Sequence, residues 1–169
     1  YEHHRSFSEF EAALRAACDL TTTGAAPDLV DGIVHGPDHL VLCLGRFTDR
    51  ASRPPSDYSG TAIYYRSTAT RGSDLLTTED YFFRYDTECH WLTRTVPPLE
   101  WSPVRRLTKK WLLGSTNLIA WSNRVAPIQR LAMRRPDLVC DVFIPAARFE
   151  EFFDWYVEAF DFWPLWIVP

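Results

Sequence analysis

The chain has 169 residues, 46 % of them apolar and 15 % aromatic, and a net charge of −4 at neutral pH. Such a length can bury one sizeable core, and so mild a charge does not suggest nucleic acid as the main partner. No apolar run reaches the roughly 18 residues of a membrane-spanning helix, and the seven dispersed glycines form no GxGxxG, no GxxxxGK[ST] and no GxSxG.

In chain order, residues 1–5 read as a strand end. Ser6 followed by Glu9 makes a capping box, which predicts a helix over about residues 7–18 with Phe7, Phe10, Leu14 and Ala17 on its buried face. Residues 21–27 read as a loop. Residues 29–35 and 40–47 predict two antiparallel strands around the turn Gly36-Pro37-Asp38. A polar, Pro-rich loop follows over 48–60. Residues 63–66 read as a strand extension or a lead-in, and 75–85 as containing a further strand. Residues 104–113 and 128–134 have helical spacing, and 138–144 reads as a strand. A helix is predicted over 148–160, burying Phe149, Phe152, Phe153, Tyr156 and Phe160, and residues 163–168 read as the last strand. The opening strand, SFSEFEAALRAAC and following strands are echoed by CDVFIP, ARFEEFFDWYVEAF and a final strand. Two strand–helix–strand copies predict an α+β domain, an antiparallel sheet with helices on one face, on a duplicated ferredoxin-like plan.

The stretch from Asp80 to Trp91, DYFFRYDTECHW, is the most informative. As a strand it places Asp80, Phe82, Arg84 and Asp86 on one face and Tyr81, Phe83, Tyr85 and Thr87 on the other. Charges sharing a face with Phe82 suggest a pocket wall; the competing reading is a half-buried strand with Arg84 and Asp86 paired in solvent. His90, beside Trp91, could move protons at neutral pH or serve only as a structural hydrogen-bonding group.

Four scattered cysteines without CxxC predict reduced, structural thiols and a cytoplasmic location. His3-His4 reads as a surface pair, and His35 and His39 as the solvated tip of a hairpin rather than a metal site. Residues 101–135 carry eight basic side chains and no acidic one, which leaves −12 on the rest. With Trp101, Trp111 and Trp121 interleaved, this block reads as a solvated face or as an element that meets an anionic membrane surface peripherally. The chain opens without Met and closes on the apolar WPLWIVP, so it is expected to be one piece of a longer protein.

DYFFRYDTECHW, then KKWLLG (109–114), VCDVFIP (139–145), a helix and WPLWIVP (163–169) together resemble the C-terminal half of the 24-dehydrocholesterol reductase family, FAD-linked oxidoreductases of the vanillyl-alcohol oxidase type. LVDGIVHGPDHLVLCLGRFTD (29–49) is similar to the strand pair of that family. Tyr81, Arg84 and Trp91 stand where the family motif keeps an aromatic, an Arg and a Trp, and Asp141 stands in a family strand position. Thr87-Glu88-Cys89 departs from the more basic or small residues of many relatives. The resemblance implies that residues 1–169 are a single cap, or substrate, domain whose FAD-binding partner domain lies outside this chain. The substrate does not transfer with the resemblance, but an apolar, sterol- or lipid-like molecule suits the aromatic wealth and the basic segment, and the family's use of NADPH makes it a candidate electron donor. On that reading Arg84 orients or neutralises charge, Asp86 fixes Arg84, Tyr85 and Trp91 line the cavity, and His90 or Asp141 handles protons. The other expectation is a non-catalytic ligand-binding or membrane-surface module with a ferredoxin-like sheet.

Overall fold

The computed structural model describes residues 1–19, 26–58, 62–85, 101, 103, 104, 107, 120 and 141–169. They fall into two compact units. The first comprises Tyr1–Ser52, Thr68–Ser73 and Asp141–Pro169; the second comprises Arg53–Ser67 and Asp74–Cys140.

The first unit is an α+β layer. Strand β1 (Glu2–His4) leads into helix α1 (Phe7–Cys18). Ser6 takes an extended conformation ahead of the helix, and its hydroxyl accepts a hydrogen bond from the Glu9 N–H at 3.4 Å. That bond satisfies one of the donors a helix start leaves open. Phe7, Phe10 and Leu14 recur at helical spacing and are buried, while Glu11 and Arg15, one turn apart, pair at 2.7 Å on the outside.

Strands β2 (Leu29–Gly36) and β3 (His39–Gly45) form an antiparallel hairpin turning at Pro37 and Asp38. Their near-continuous apolar runs follow from burial on both sides: Val34, Leu40 and Leu42 lie on one face, and Ile33, Val41 and Cys43 on the other. The last strand, β4 (Leu165–Ile167), adds antiparallel to β2, giving the order β1-β3-β2-β4. A ferredoxin-like order would seat the last strand beside β1; here β4 pairs with β2, and β1 is left at the edge of the sheet.

One face of the sheet carries the helices. A 3₁₀ turn (Ala146–Arg148) runs into a long helix (Phe149–Ala159). Its Phe153 stacks on Phe7 with ring centres 4.3 Å apart, and Phe149 meets the same ring edge-on at 4.8 Å. Phe7, Phe10, Leu14, Val34, Leu40, Leu42 and Phe153 make one core. The approach is close at Gly32 of β2, where a methyl group would lie 2.6 Å from Cζ of Phe10. The buried stripe of the long helix is narrower than its spacing predicts, because Phe160 is 59 % exposed.

Three expected strands change. Residues 141–144 have no regular structure; the part of that expectation over 138–140 lies outside the described residues. Residues 63–66 contribute to a short helix, α2 (Tyr64–Thr68), and the segment holding the aromatic motif begins as a helix, α3 (Thr78–Phe82). The long helix is therefore α4. The helices expected over 104–113 and 128–134 fall largely or wholly outside the described residues.

Candidate functional site

Over its described residues, 80–85, the motif that begins at Asp80 is not an alternating strand, and the reason is local. Thr77 accepts from the Asp80 N–H at 3.0 Å and donates its hydroxyl to the Asp80 carboxylate at 2.7 Å. Thr77 is thus the N-cap, and Glu79 and Asp80 add negative charge where the helix dipole favours it. These terms outweigh the β preference of the aromatic residues that follow. Asp80, Phe82 and Arg84 consequently do not share one strand face.

The backbone groups the side chains differently. The helix ends at Phe82 and the chain turns over 83–85, where the Arg84 N–H reaches the Tyr81 carbonyl and the Arg84 side chain comes back over the Tyr81 ring. Phe82 and Phe83 point outward, 63 % and 57 % exposed, whereas Arg84 is buried. Its guanidinium carbon lies 3.9 Å from the centre of the Tyr81 ring, 4.7 Å from that of Tyr85 and 5.2 Å from that of Tyr64. Nη1 donates to the Tyr81 carbonyl at 2.7 Å. Contacts between a cation and a ring face contribute about 0.5–2 kcal/mol each, more when water is excluded.

The tyrosine cluster continues into a hydroxyl network. Tyr64 meets Tyr85 edge-on at 5.3 Å and Tyr58 edge-on at 5.4 Å. The Tyr58 hydroxyl donates to the Asp74 carboxylate and lies 2.7 Å from Oγ of Ser67, which donates to the Tyr64 carbonyl. Asp74 also accepts from the Ser56 hydroxyl at 2.5 Å and the Leu75 N–H at 2.9 Å. Three donors thus satisfy a half-buried carboxylate. The second unit therefore presents one permanent cation, four phenol rings and one carboxylate in a continuous cluster. Such a group suits recognition of a polar or anionic atom on an otherwise apolar molecule.

Of the residues singled out from sequence, Arg84 and Tyr85 are brought together here. Asp86, His90 and Trp91 lie outside the described residues. Asp141 is exposed in the first unit and sits on no strand, so its expected strand position does not hold. Sequence reasoning passed over Tyr58, Tyr64 and Asp74. The signal for the two tyrosines was a concentration of tyrosine and hydroxyl residues over 56–68, inside what reads as loop and strand extension; Asp74 had none.

The first unit holds two further polar groupings. Asp31 is buried on the sheet and accepts from the Trp166 indole N–H at 3.1 Å. His35 lies beside His39 and bonds Thr68, and burial, with smaller contributions from His39 and His3, pushes its pKa down to about 4. Among the described residues, no group of three or more His, Cys, Asp or Glu is placed to hold a metal ion, and no helix is long and apolar enough to cross a membrane. Of the described cysteines, Cys18 is exposed and Cys43 buried, and neither is in a disulfide.

Compared with protein-family models, curated proteins and solved structures, the chain matches none.

Proposed function

We propose that this chain is the substrate-facing cap of an FAD-dependent oxidoreductase acting on an apolar, sterol- or lipid-like molecule. The observation that carries this reading is the buried Arg84 guanidinium set among Tyr64, Tyr81 and Tyr85 within the motif DYFFRYDTECHW. The order of KKWLLG, VCDVFIP and WPLWIVP behind it supports the same family resemblance. The α+β layer with helices on one face of an antiparallel sheet is a suitable cap architecture.

The residues present fit a part that faces a flavin rather than one that cradles its phosphates. No glycine-rich turn occurs in the sequence, and the first turn of α1 is closed by its own Ser6 hydroxyl. A bound flavin would supply the hydride chemistry. Arg84 would hold the polar end of the substrate, Tyr85 and Tyr64 would exclude water and fix the Arg84 rotamer, and Asp74 would orient Tyr58. The basic block over 101–135 would rest on an anionic lipid surface, from which an apolar substrate could be drawn.

The test uses the natural full-length chain. Purified protein should carry flavin absorbance near 450 nm that bleaches with NADPH or another hydride donor and recovers with an apolar alkene or alcohol. Arg84→Lys keeps the charge but loses the planar fork, and should lower turnover by about tenfold or more with flavin content unchanged. A flavin-free full-length protein that still binds an apolar ligand would replace this reading with that of a non-catalytic binding module. Sedimentation with anionic vesicles at low salt, lost on reversing Lys109 and Lys110, tests the membrane contact.

A further inference from the structure

Three histidines from three adjacent strands meet on the face of the sheet opposite the core helices. Register pairs both His3 and Ile33 with Val41, alternation adds His39 to the same side, and at the irregularity between Val34 and Gly36 the ring contact with His39 brings His35 to it. The His39 ring lies between the other two, 5.0 Å from His35 and 5.8 Å from His3, centre to centre. One short segment, Thr68–Ser73, is tied to this stack. His35 Nε2 lies 3.0 Å from the Thr68 hydroxyl, and His3 Nε2 lies 2.9 Å from the Arg71 carbonyl. A carbonyl only accepts, so His3 carries its proton on Nε2. The backbone nitrogen of Tyr1 adds a third tie, donating to the Gly72 carbonyl at 2.8 Å.

We propose that His3, His39 and His35 form an acid-sensitive latch, which holds segment Thr68–Ser73 against the sheet at neutral pH and releases it as the pH falls.

The physical basis is that the latched arrangement accepts protons poorly. Thr68 is fully buried and His35 half-buried, so a charge on His35 loses hydration and then meets His39 and His3. Among the described residues, the charged groups around the stack are few. Arg71 on the tied segment is exposed, and only its backbone carbonyl meets the stack. Asp38 occupies the exposed hairpin turn beside Gly36. Asp31 lies on the same face of β2 four residues from His35 and is held by Trp166. Glu2 belongs to the other side of β1, near His4. Release returns His35 to water, where its pKa approaches 6.5 rather than about 4. The released form therefore binds more protons between those values, and acid shifts the equilibrium toward it. For one histidine the limit is about 300-fold across the window, and partial exposure of the ring lowers it.

The experiment is hydrogen exchange of the purified chain from pH 7.5 to 4.5, read by mass spectrometry and corrected for the intrinsic pH dependence of exchange. Protection of residues 68–73 should fall by about tenfold or more on acidification, while β2 and β3 keep theirs. His35→Gln keeps a hydrogen-bonding group toward Thr68 without a titrating ring and should make the protection of 68–73 independent of pH. Should that variant fail to fold, His39→Gln removes the middle ring of the stack and should make the dependence shallower. Protection that does not change with pH, that keeps its full dependence in the folded variants, or that is lost in β2 and β3 at the same pH overturns the latch.

Discussion

Gly32→Ala should destabilise the first unit, and the sign of that effect tests the packing of the core. In a strand interior, alanine is ordinarily favoured over glycine by roughly 0.5–1 kcal/mol, because the unfolded chain has less freedom to lose. At Gly32 that gain is opposed. The new Cβ would sit 2.6 Å from Cζ and 3.1 Å from Cε2 of Phe10, and 3.6 Å from Cβ of Ile167. The last is ordinary contact, but the first is a clash with a ring that is fully buried. Phe10 is hemmed in by Phe7 at 6.5 Å and His4 at 6.1 Å, so it yields only by moving its neighbours. Overpacking of this kind costs about 1–3 kcal/mol, enough to reverse the entropic gain. A net loss of about 1–2 kcal/mol should lower the urea midpoint and bring the thermal midpoint down by about 3–8 °C. Gly72→Ala is the control, because nothing lies within 4 Å of its added methyl; it should change stability by no more than about 0.5 kcal/mol. In a Phe10→Leu background the Gly32→Ala penalty should shrink by about 1 kcal/mol, a coupling that only direct contact produces. If Gly32→Ala is as stable as Gly72→Ala, or if its cost is the same with and without Phe10, the close approach of β2 to α1 is wrong.

Ser6→Ala should cost about 1 kcal/mol by removing the acceptor for the Glu9 N–H, and Ser6→Asn should retain most of the stability; both are read from urea midpoints. Trp166→Phe keeps an aromatic ring but removes one donor to buried Asp31, and should cost about 1–2 kcal/mol in the same assay. His35 predicts a pH dependence of stability. Its folded pKa of about 4 lies below the ordinary 6.5, so the unfolded chain binds the extra proton and stability falls as pH drops from 6.5 to 4. At about 1.4 kcal/mol per unit the limit is near 3 kcal/mol, and screening of the half-exposed ring reduces it to roughly half. His35→Gln should flatten that slope in denaturation series at pH 4.5, 5.5 and 7.

Local signals were strong where one short stretch of chain decides the outcome. Ser6 with Glu9 fixes where α1 begins, and the hairpin follows from two apolar runs around Gly36-Pro37-Asp38. The same kind of signal stands at Thr77, whose hydroxyl caps the observed helix, but the aromatic run that follows it has strand composition. Residues 141–144 depart from expectation for another reason. VCDVFIP has strand composition, yet a strand forms only where a neighbour offers a ladder, and among the described residues the sheet β1-β3-β2-β4 does not include 141–144. Within the candidate site, Arg84 was conspicuous as a lone cation among rings. Tyr58, Tyr64 and Asp74 were not, because their roles depend on hydrogen bonds between residues up to 18 positions apart.

By itself the sequence determined the α+β class, the capped first helix, the hairpin and the aromatic stripe of the last helix, since each rests on periodicity or on contacts within a few residues. Tertiary structure alone decided that β4 pairs with β2, that Arg84 is enclosed by Tyr64, Tyr81 and Tyr85, and that His3, His35 and His39 converge. Those outcomes depend on which segments share buried surface, a competition among distant parts of the chain that local spacing does not encode.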